Sequence, residues 1–251
     1  MEDVPKPREI VGAMPYDDYT NLIERFSTNP EKYTKPIRIY CDVDGVVMPI
    51  IRTWEQYEAM DGKDTINFLR RPNFYHAASD IETGLFVYNK FVAEKLSEWS
   101  HRDDVDFIWL TAWRHNAVYS LDKILNVKSV GFLPWEERRS DYQHWYKRYA
   151  IEEEQKISPS KFVWLDDFAN KRRYEDIPVF TDGHYSRVEV EVENPVWDDF
   201  TGSYVKKYED GPFVIKKEII PASQYLSLTT EGTLGLQPED IAQVDAWLAN
   251  Q

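Results

Sequence analysis

At 251 residues, 42% hydrophobic and 29% charged, the chain can bury a full core, as one domain with insertions or as two small ones. Its 30 Lys and Arg against 44 Asp and Glu leave a formal net charge of −14, which argues against polyanion binding driven by overall charge. One cysteine, Cys41, excludes an intrachain disulfide; the start Met1-Glu2-Asp3-Val4 lacks a signal peptide's apolar core, and no apolar run approaches a membrane span, so a cytoplasmic protein with no membrane partner is expected.

Residues 1–35 read as an N-terminal helical extension: a Pro-rich start, an amphipathic helix around Asp17–Phe26, and Asn29-Pro30 as a stop. Ile37–Cys41 is a short apolar, β-rich run that delivers Asp42-Val43-Asp44-Gly45 to its carboxyl end. Residues 46–86 are irregular, aromatic and interrupted by Pro49 and Pro72, which predicts a flap or small insertion. From Tyr88 to Ser100 the positions Phe91, Val92, Leu96 and Trp99 recur at helical spacing.

Phe107–Leu110 is a second buried strand, ending at Thr111, followed by a helix over Asn116–Leu125 and a third strand within Val127–Leu133. Residues 140–155 are polar and helical, and Phe162–Leu165 is a fourth strand ending at Asp166-Asp167. This alternation predicts an α/β fold, a Rossmann-like doubly wound parallel sheet with helices on both faces, spanning 36–177. Val188–Val192 alternates with period two and Tyr204–Ile220 has a hairpin look around Asp210-Gly211, so 178–220 reads as a β-rich insertion or lid. Residues 221–251 form a C-terminal segment whose helix carries Ile241, Val244, Trp247 and Leu248 toward the core.

In an open parallel sheet, functional groups gather outside the carboxyl ends of the strands. Asp42 and Asp44 lie two apart at such an end, and Gly45 lets the backbone approach a ligand closely. One carboxylate suits attack on phosphorus, and the other suits proton transfer to the leaving oxygen. Thr111 offers a hydroxyl and an amide to phosphoryl oxygens, and Asp166 and Asp167 supply the hard oxygen ligands that Mg²⁺ prefers. Cys41 in its apolar strand reads as a structural thiol. The five histidines show no ligand spacing, and neither a GxxxxGK[ST] loop nor an HExxH or paired-cysteine zinc signature is present.

DVDGV, FIWLTAW and VWLDD, in this order at strand ends, resemble the first, second and fourth motifs of the haloacid dehalogenase superfamily of phosphohydrolases. The LTAWR ending, WLDD and the closing GLQPEDIAQVDAWL look like the small phosphatase-type domains of bacterial and phage proteins, which also occur in multifunctional RNA-repair proteins. The resemblance covers roughly residues 36–170 and the last twenty or so. It implies Asp42 as nucleophile and Mg²⁺ ligand, Asp44 as general acid/base with its carbonyl on the metal, and Thr111 on phosphate. It further implies Asp166 on the metal, with Asp167 in support. For the third-motif lysine, Lys147 fits the spacing best; Lys156 and Lys161 lie closer to the fourth strand.

Gly45, Ala112 and Arg114 complete the expected phosphate-binding groups. Arg71, in an insertion placed to overhang the site, is a candidate for steering phosphate. The other basic clusters, Arg138-Arg139 and Lys171–Arg173, read as solvated surface. The insertion is too short for a large cap, which points to an open site and a large substrate such as a nucleic-acid end or a phosphoprotein; phosphorylated nucleic-acid ends or nucleotides are the expected class. The same residues would also serve a catalytically idle binding module or a phosphotransferase. Oligomeric state is not legible.

Overall fold

The structure is a computed structural model that describes residues 8–9, 24–51, 56, 59, 63–67, 85–135, 144–167, 169, 179–190, 197–198, 203–204 and 207–251. Its centre is a five-stranded, wholly parallel sheet: β1 (Ile37–Cys41), β2 (Val105–Trp109), β3 (Ser129–Phe132), β4 (Lys161–Asp166) and β5 (Tyr225–Thr229). The order across the sheet is β5-β4-β1-β2-β3. From β1 the chain builds outward through β2 to β3, then crosses back to lay β4 and β5 on the other side. The order therefore reverses between β1 and β4, and such a switch point opens a crevice at the strands' carboxyl ends.

Helices cover both faces, as an α/β architecture requires: α1 (Lys90–Ser100), α2 (His144–Ile157) and α3 (Pro238–Ala249). Alternation along β1 sorts them. Ile37, Ile39 and Cys41 join Val92, Leu96 and Trp99 of α1 and Ile241, Val244 and Leu248 of α3 in one core. Tyr40 faces the opposite way, into a second core with Phe162, Trp164, Ile151 of α2, Phe180 and Ile220. Trp99 Nε1–H donates to Asp245 Oδ1 at 2.7 Å, tying α1 to α3 while its ring stays buried.

Two buried ionic features seat α2. Arg38, only 2% exposed, donates to Glu154 Oε1 at 3.0 Å, to the Ser158 carbonyl at 2.7 Å and to Ser158 Oγ at 2.5 Å. Tyr40 Oη–H donates to the same Glu154 oxygen at 2.5 Å. Arg148 pairs with Glu152 at 2.5 Å and donates to the Thr181 carbonyl at 3.2 Å, joining the helix to the start of the later strand Thr181–Val190.

Several expectations are refined. The α1 segment begins as a strand, Leu85–Asn89, and turns helical only at Lys90, where Asn89 Oδ1 caps the helix by accepting from Phe91 N–H at 3.3 Å. Leu85–Asn89 pairs antiparallel with Lys63–Asn67, and Arg8–Glu9 adds to the latter in parallel. The insertion thus carries a small three-stranded sheet that borrows a strand from the N-terminal extension, which was expected to be helical. Of the expected helix Asp17–Phe26, only residues 24–26 are described, and they are helical. The expected helix after β2 is irregular: Ala117–Leu121 is a π-turn that runs into Asp122–Ile124.

The expected β-rich insertion is a long antiparallel ribbon, Thr181–Val190 with Lys207–Glu218, beside a short hairpin of Trp197–Asp198 and Ser203–Tyr204. Asp210-Gly211 is not its turn. Asp210 pairs with Arg187 and Phe213 with Tyr185, so Gly211 and Pro212 together oppose one residue. Pro212 has no N–H to give the ladder, and a bulge is where a strand tolerates that. The largest departure is β5, a fifth strand unseen in the sequence. No helix among the described residues is long and apolar enough to cross a membrane.

Candidate functional site

Asp42 follows β1 directly. Its N–H donates to the Leu165 carbonyl at 2.9 Å, so β1 and β4 stay paired up to the point where their acidic residues emerge. Asp42 Oδ1 accepts from Val43 N–H at 2.7 Å, and its other oxygen accepts from Lys147 Nζ. The same ammonium donates to Asp166 Oδ2 at 2.8 Å. Arg38, Tyr40 and Asp42 alternate along one face of β1, and Asp166 ends β4 on that side, facing α2. Lys147 lies two turns before Glu154 on the helix, about 10 Å along its axis. The pairing of Glu154 with Arg38 and Tyr40 therefore sets α2 so that Lys147 arrives at Asp42.

Carboxylate oxygens of Asp42, Asp166 and Asp167, all buried, lie within 4.8 Å of one another. Burial pushes the Asp42 carboxyl well above the ordinary carboxylate range; Lys147 draws it down, and Asp166 and Asp44 push it up again. For Lys147, burial works against the charge, but the carboxylates of Asp166 and Asp42 outweigh it and raise its pKa. Among the described residues three carboxylates meet one ammonium here, and the all-oxygen donor set suits a hard divalent cation. The triad could hold such an ion.

Gly45 and the loop after β5 shape the space around Asp167. Gly45 sits at φ +75, where glycine is favoured, and a Cβ there would come within 2.7 Å of the Asp167 Cβ. A Cβ on Gly232 would come within 3.1 Å of Asp167 Oδ2. Thr230 Oγ1–H donates to the Gly45 carbonyl at 2.6 Å, and Ile50 N–H to the Gly232 carbonyl at 2.8 Å. The Asp42–Ile50 turn is thus stitched to a loop almost two hundred residues away in sequence.

Asp44, half-buried, accepts from Trp113 Nε1–H at 3.0 Å. Thr111 is fully buried past the end of β2, its Oγ1 accepting from Trp113 N–H at 3.3 Å. Ala112 is exposed, and Arg114, at φ 49, lays its guanidinium 5.7 Å from the centre of the Trp135 ring.

The structure therefore brings together Asp42, Lys147, Asp166 and Asp167, sets Gly45 against Asp167, and places Asp44, Thr111, Ala112 and Arg114 along the adjoining β1 and β2 ends. Lys156 is exposed and paired with Glu153 at 2.5 Å, while Lys161 begins β4 at the opposite end of the sheet. Neither competes with Lys147. Arg71 lies outside the described residues. Cys41 is buried, with burial pushing its thiol up, as a structural residue should be.

The residues missed were Thr230 and Gly232, and the indole of Trp113 as a partner of Asp44. For the first pair the sequence offers only Glu231-Gly232 after the short run Tyr225–Thr229, an acid followed by glycine as at Asp44-Gly45. Compared with protein-family models, with curated proteins and with solved structures, the chain matches none.

Proposed function

We propose that the chain is a Mg²⁺-dependent phosphomonoesterase of the haloacid dehalogenase type, acting on phosphorylated nucleic-acid ends or nucleotides through a phosphoryl group carried on Asp42. The carrying observation is the cluster at the switch point, where Asp42 shares the Lys147 ammonium with Asp166 and stands with Asp166 and Asp167 in one oxygen-lined group.

In the first half-reaction an Asp42 oxygen attacks phosphorus, the bond from phosphorus to the leaving oxygen breaks, and Asp44 gives that oxygen its proton. In the second, water attacks the phosphorus and yields its proton to Asp44, and the bond to Asp42 breaks. Both carboxyls return to their starting state and inorganic phosphate leaves. Lys147 holds Asp42 in line and offsets charge on the phosphoryl oxygens, and the turn beginning at Thr111 offers donors to them. Asp42, Asp166 and Asp167, with the Asp44 carbonyl, would hold Mg²⁺, which supplies positive charge against those same oxygens. A net charge of −14 disfavours long polyanions, whereas a terminal phosphate needs only local positive charge.

The test is a Mg²⁺-dependent phosphatase assay with an aryl phosphate, mononucleotides, and 3′- and 5′-phosphorylated oligonucleotides, comparing wild type with Asp42→Asn. Turnover that needs both Mg²⁺ and Asp42 is expected, with the substrate preference naming the class. A folded wild-type protein inert on the whole panel would refute the reading and favour a binding module.

A further inference from the structure

Trp113 is 3% exposed and belongs to the core cluster that includes Val43, Val46, Val47 and Met48, yet its Nε1–H meets Asp44 Oδ2 at 3.0 Å. The backbone is bent to put it there. Thr111–Arg114 is a tight turn in which Arg114 N–H donates to the Thr111 carbonyl at 3.1 Å and Thr111 Oγ1 accepts from Trp113 N–H. Arg114 completes the turn at φ 49, an uncommon and strained conformation for a residue with a Cβ.

We infer that Trp113 is a positioning residue for Asp44, its N–H holding the carboxyl in one orientation for proton transfer to the leaving group. Indole is a donor only, so the oxygen it meets acts as an acceptor. A ring locked by packing gives the acid a fixed direction, which a solvated carboxyl at a loop would lack. The inference rests on the phosphomonoesterase reading and adds to it a demand on leaving-group chemistry. Substrates whose leaving oxygen is strongly basic, such as the alkoxide of a nucleotide ribose, need the proton and hence Trp113. Substrates with an acidic phenol as leaving group do not.

The experiment compares wild type, Trp113→Phe, Asp44→Ala and the double variant, each in Mg²⁺, on 4-nitrophenyl phosphate and on a nucleoside monophosphate. Trp113→Phe keeps an aromatic ring in the core while removing the N–H donor and one fused ring, and the substrate ratio separates the two effects. For the nucleotide, kcat is expected to fall by about 10–100-fold with KM little changed, and for 4-nitrophenyl phosphate by less than about threefold. In the Asp44→Ala background, Trp113→Phe is expected to add almost nothing on the nucleotide. The ratio between the two substrates does not depend on how much of the variant is folded, so partial unfolding cannot imitate the result. Equal losses on both substrates, no loss on either, or full additivity with Asp44→Ala would overturn the positioning role while leaving the phosphatase reading intact. A folded wild type inert on these two substrates and on 3′- and 5′-phosphorylated oligonucleotides would remove both.

Discussion

Lys147 Nζ stands 2.8 Å from Asp166 Oδ2, so the ammonium of α2 meets the carboxylate that closes β4, and its other bond goes to Asp42 at the end of β1. One cation thereby links the two strands that flank the switch point. In Lys147→Met the buried carboxylates of Asp42 and Asp166 lose the ammonium they share. The variant is expected to lose about 3 kcal/mol of stability without divalent cation. Mg²⁺ should restore much of this, because a ligand that binds only the folded state stabilises it by mass action. Urea unfolding with and without Mg²⁺ measures both; equal losses in the two conditions would count against a cation in the triad.

Gly45 and Gly232 approach Asp167 from two sides but are not equivalent. Gly45→Ala sets a Cβ at positive φ and within 2.7 Å of the Asp167 Cβ. It should cost about 2 kcal/mol or more. Gly232→Ala meets only the tip of the Asp167 side chain, at 3.1 Å, and should cost less than about 1 kcal/mol. Both should weaken the stabilisation gained from Mg²⁺, since Asp167 must shift. Thermal unfolding across a Mg²⁺ titration separates the two effects.

Glu154 holds the helix that carries Lys147. Its side chain is 5% exposed and Arg38's is 2%, and burial raises the Glu154 carboxyl while Tyr40 and Arg38 draw it down. Glu154→Ala strands a buried guanidinium and should destabilise by about 3–5 kcal/mol. Tyr40→Phe removes one hydrogen bond and should cost about 1 kcal/mol. Denaturant midpoints decide the order. A Glu154→Ala cost no larger than that of Tyr40→Phe would contradict the seating role assigned to the ion pair.

Asp122 supplies a pH signature away from the site. Burial pushes its carboxyl up to about 6, although Ser129 and Trp109 donate to it at 2.6 and 2.7 Å. Because the folded pKa exceeds the unfolded value of 3.8, the native state binds more protons between roughly pH 4 and 6. Stability contributed by Asp122 therefore falls as pH rises through that window and is flat above it. Asn at this position can accept from Trp109 and donate to the Ser129 hydroxyl without carrying charge. Asp122→Asn should gain on wild type as pH rises from 4 to 6, by at most about 3 kcal/mol for a shift of this size. Unfolding free energies of both proteins across that range provide the check, and parallel curves would refute it.

How much of this was legible beforehand differs by element. The runs at β1, β2 and β4 announced themselves because strands buried on both faces are mostly apolar, and polar residues at their carboxyl ends, Asp42, Thr111 and Asp166, mark where an open parallel sheet gathers its functional groups. Lys147 could be favoured by spacing but not chosen, since Lys156 and Lys161 share its chemistry. Only the fold shows that one is exposed on the helix and the other begins β4 at the far end of the sheet.

The β5 strand escaped because Tyr-Leu-Ser-Leu-Thr sits at a sheet edge, half-buried, and five residues of mixed polarity carry little signal by themselves. Asp210-Gly211 misled for a related reason: local turn chemistry favours a hairpin, but the long pairing with Thr181–Val190 overrode it and made a bulge. The amino-acid sequence alone determined the alternating layers and the acidic strand ends, because burial and periodicity are local properties of the chain. Tertiary structure decided the strand order, the arrival of Lys147 at Asp42, the indole of Trp113 at Asp44 and the loop of Thr230 and Gly232 beside Asp167. Each of those contacts joins residues far apart in sequence, and no local pattern encodes which distant side chain fills the space beside a carboxylate.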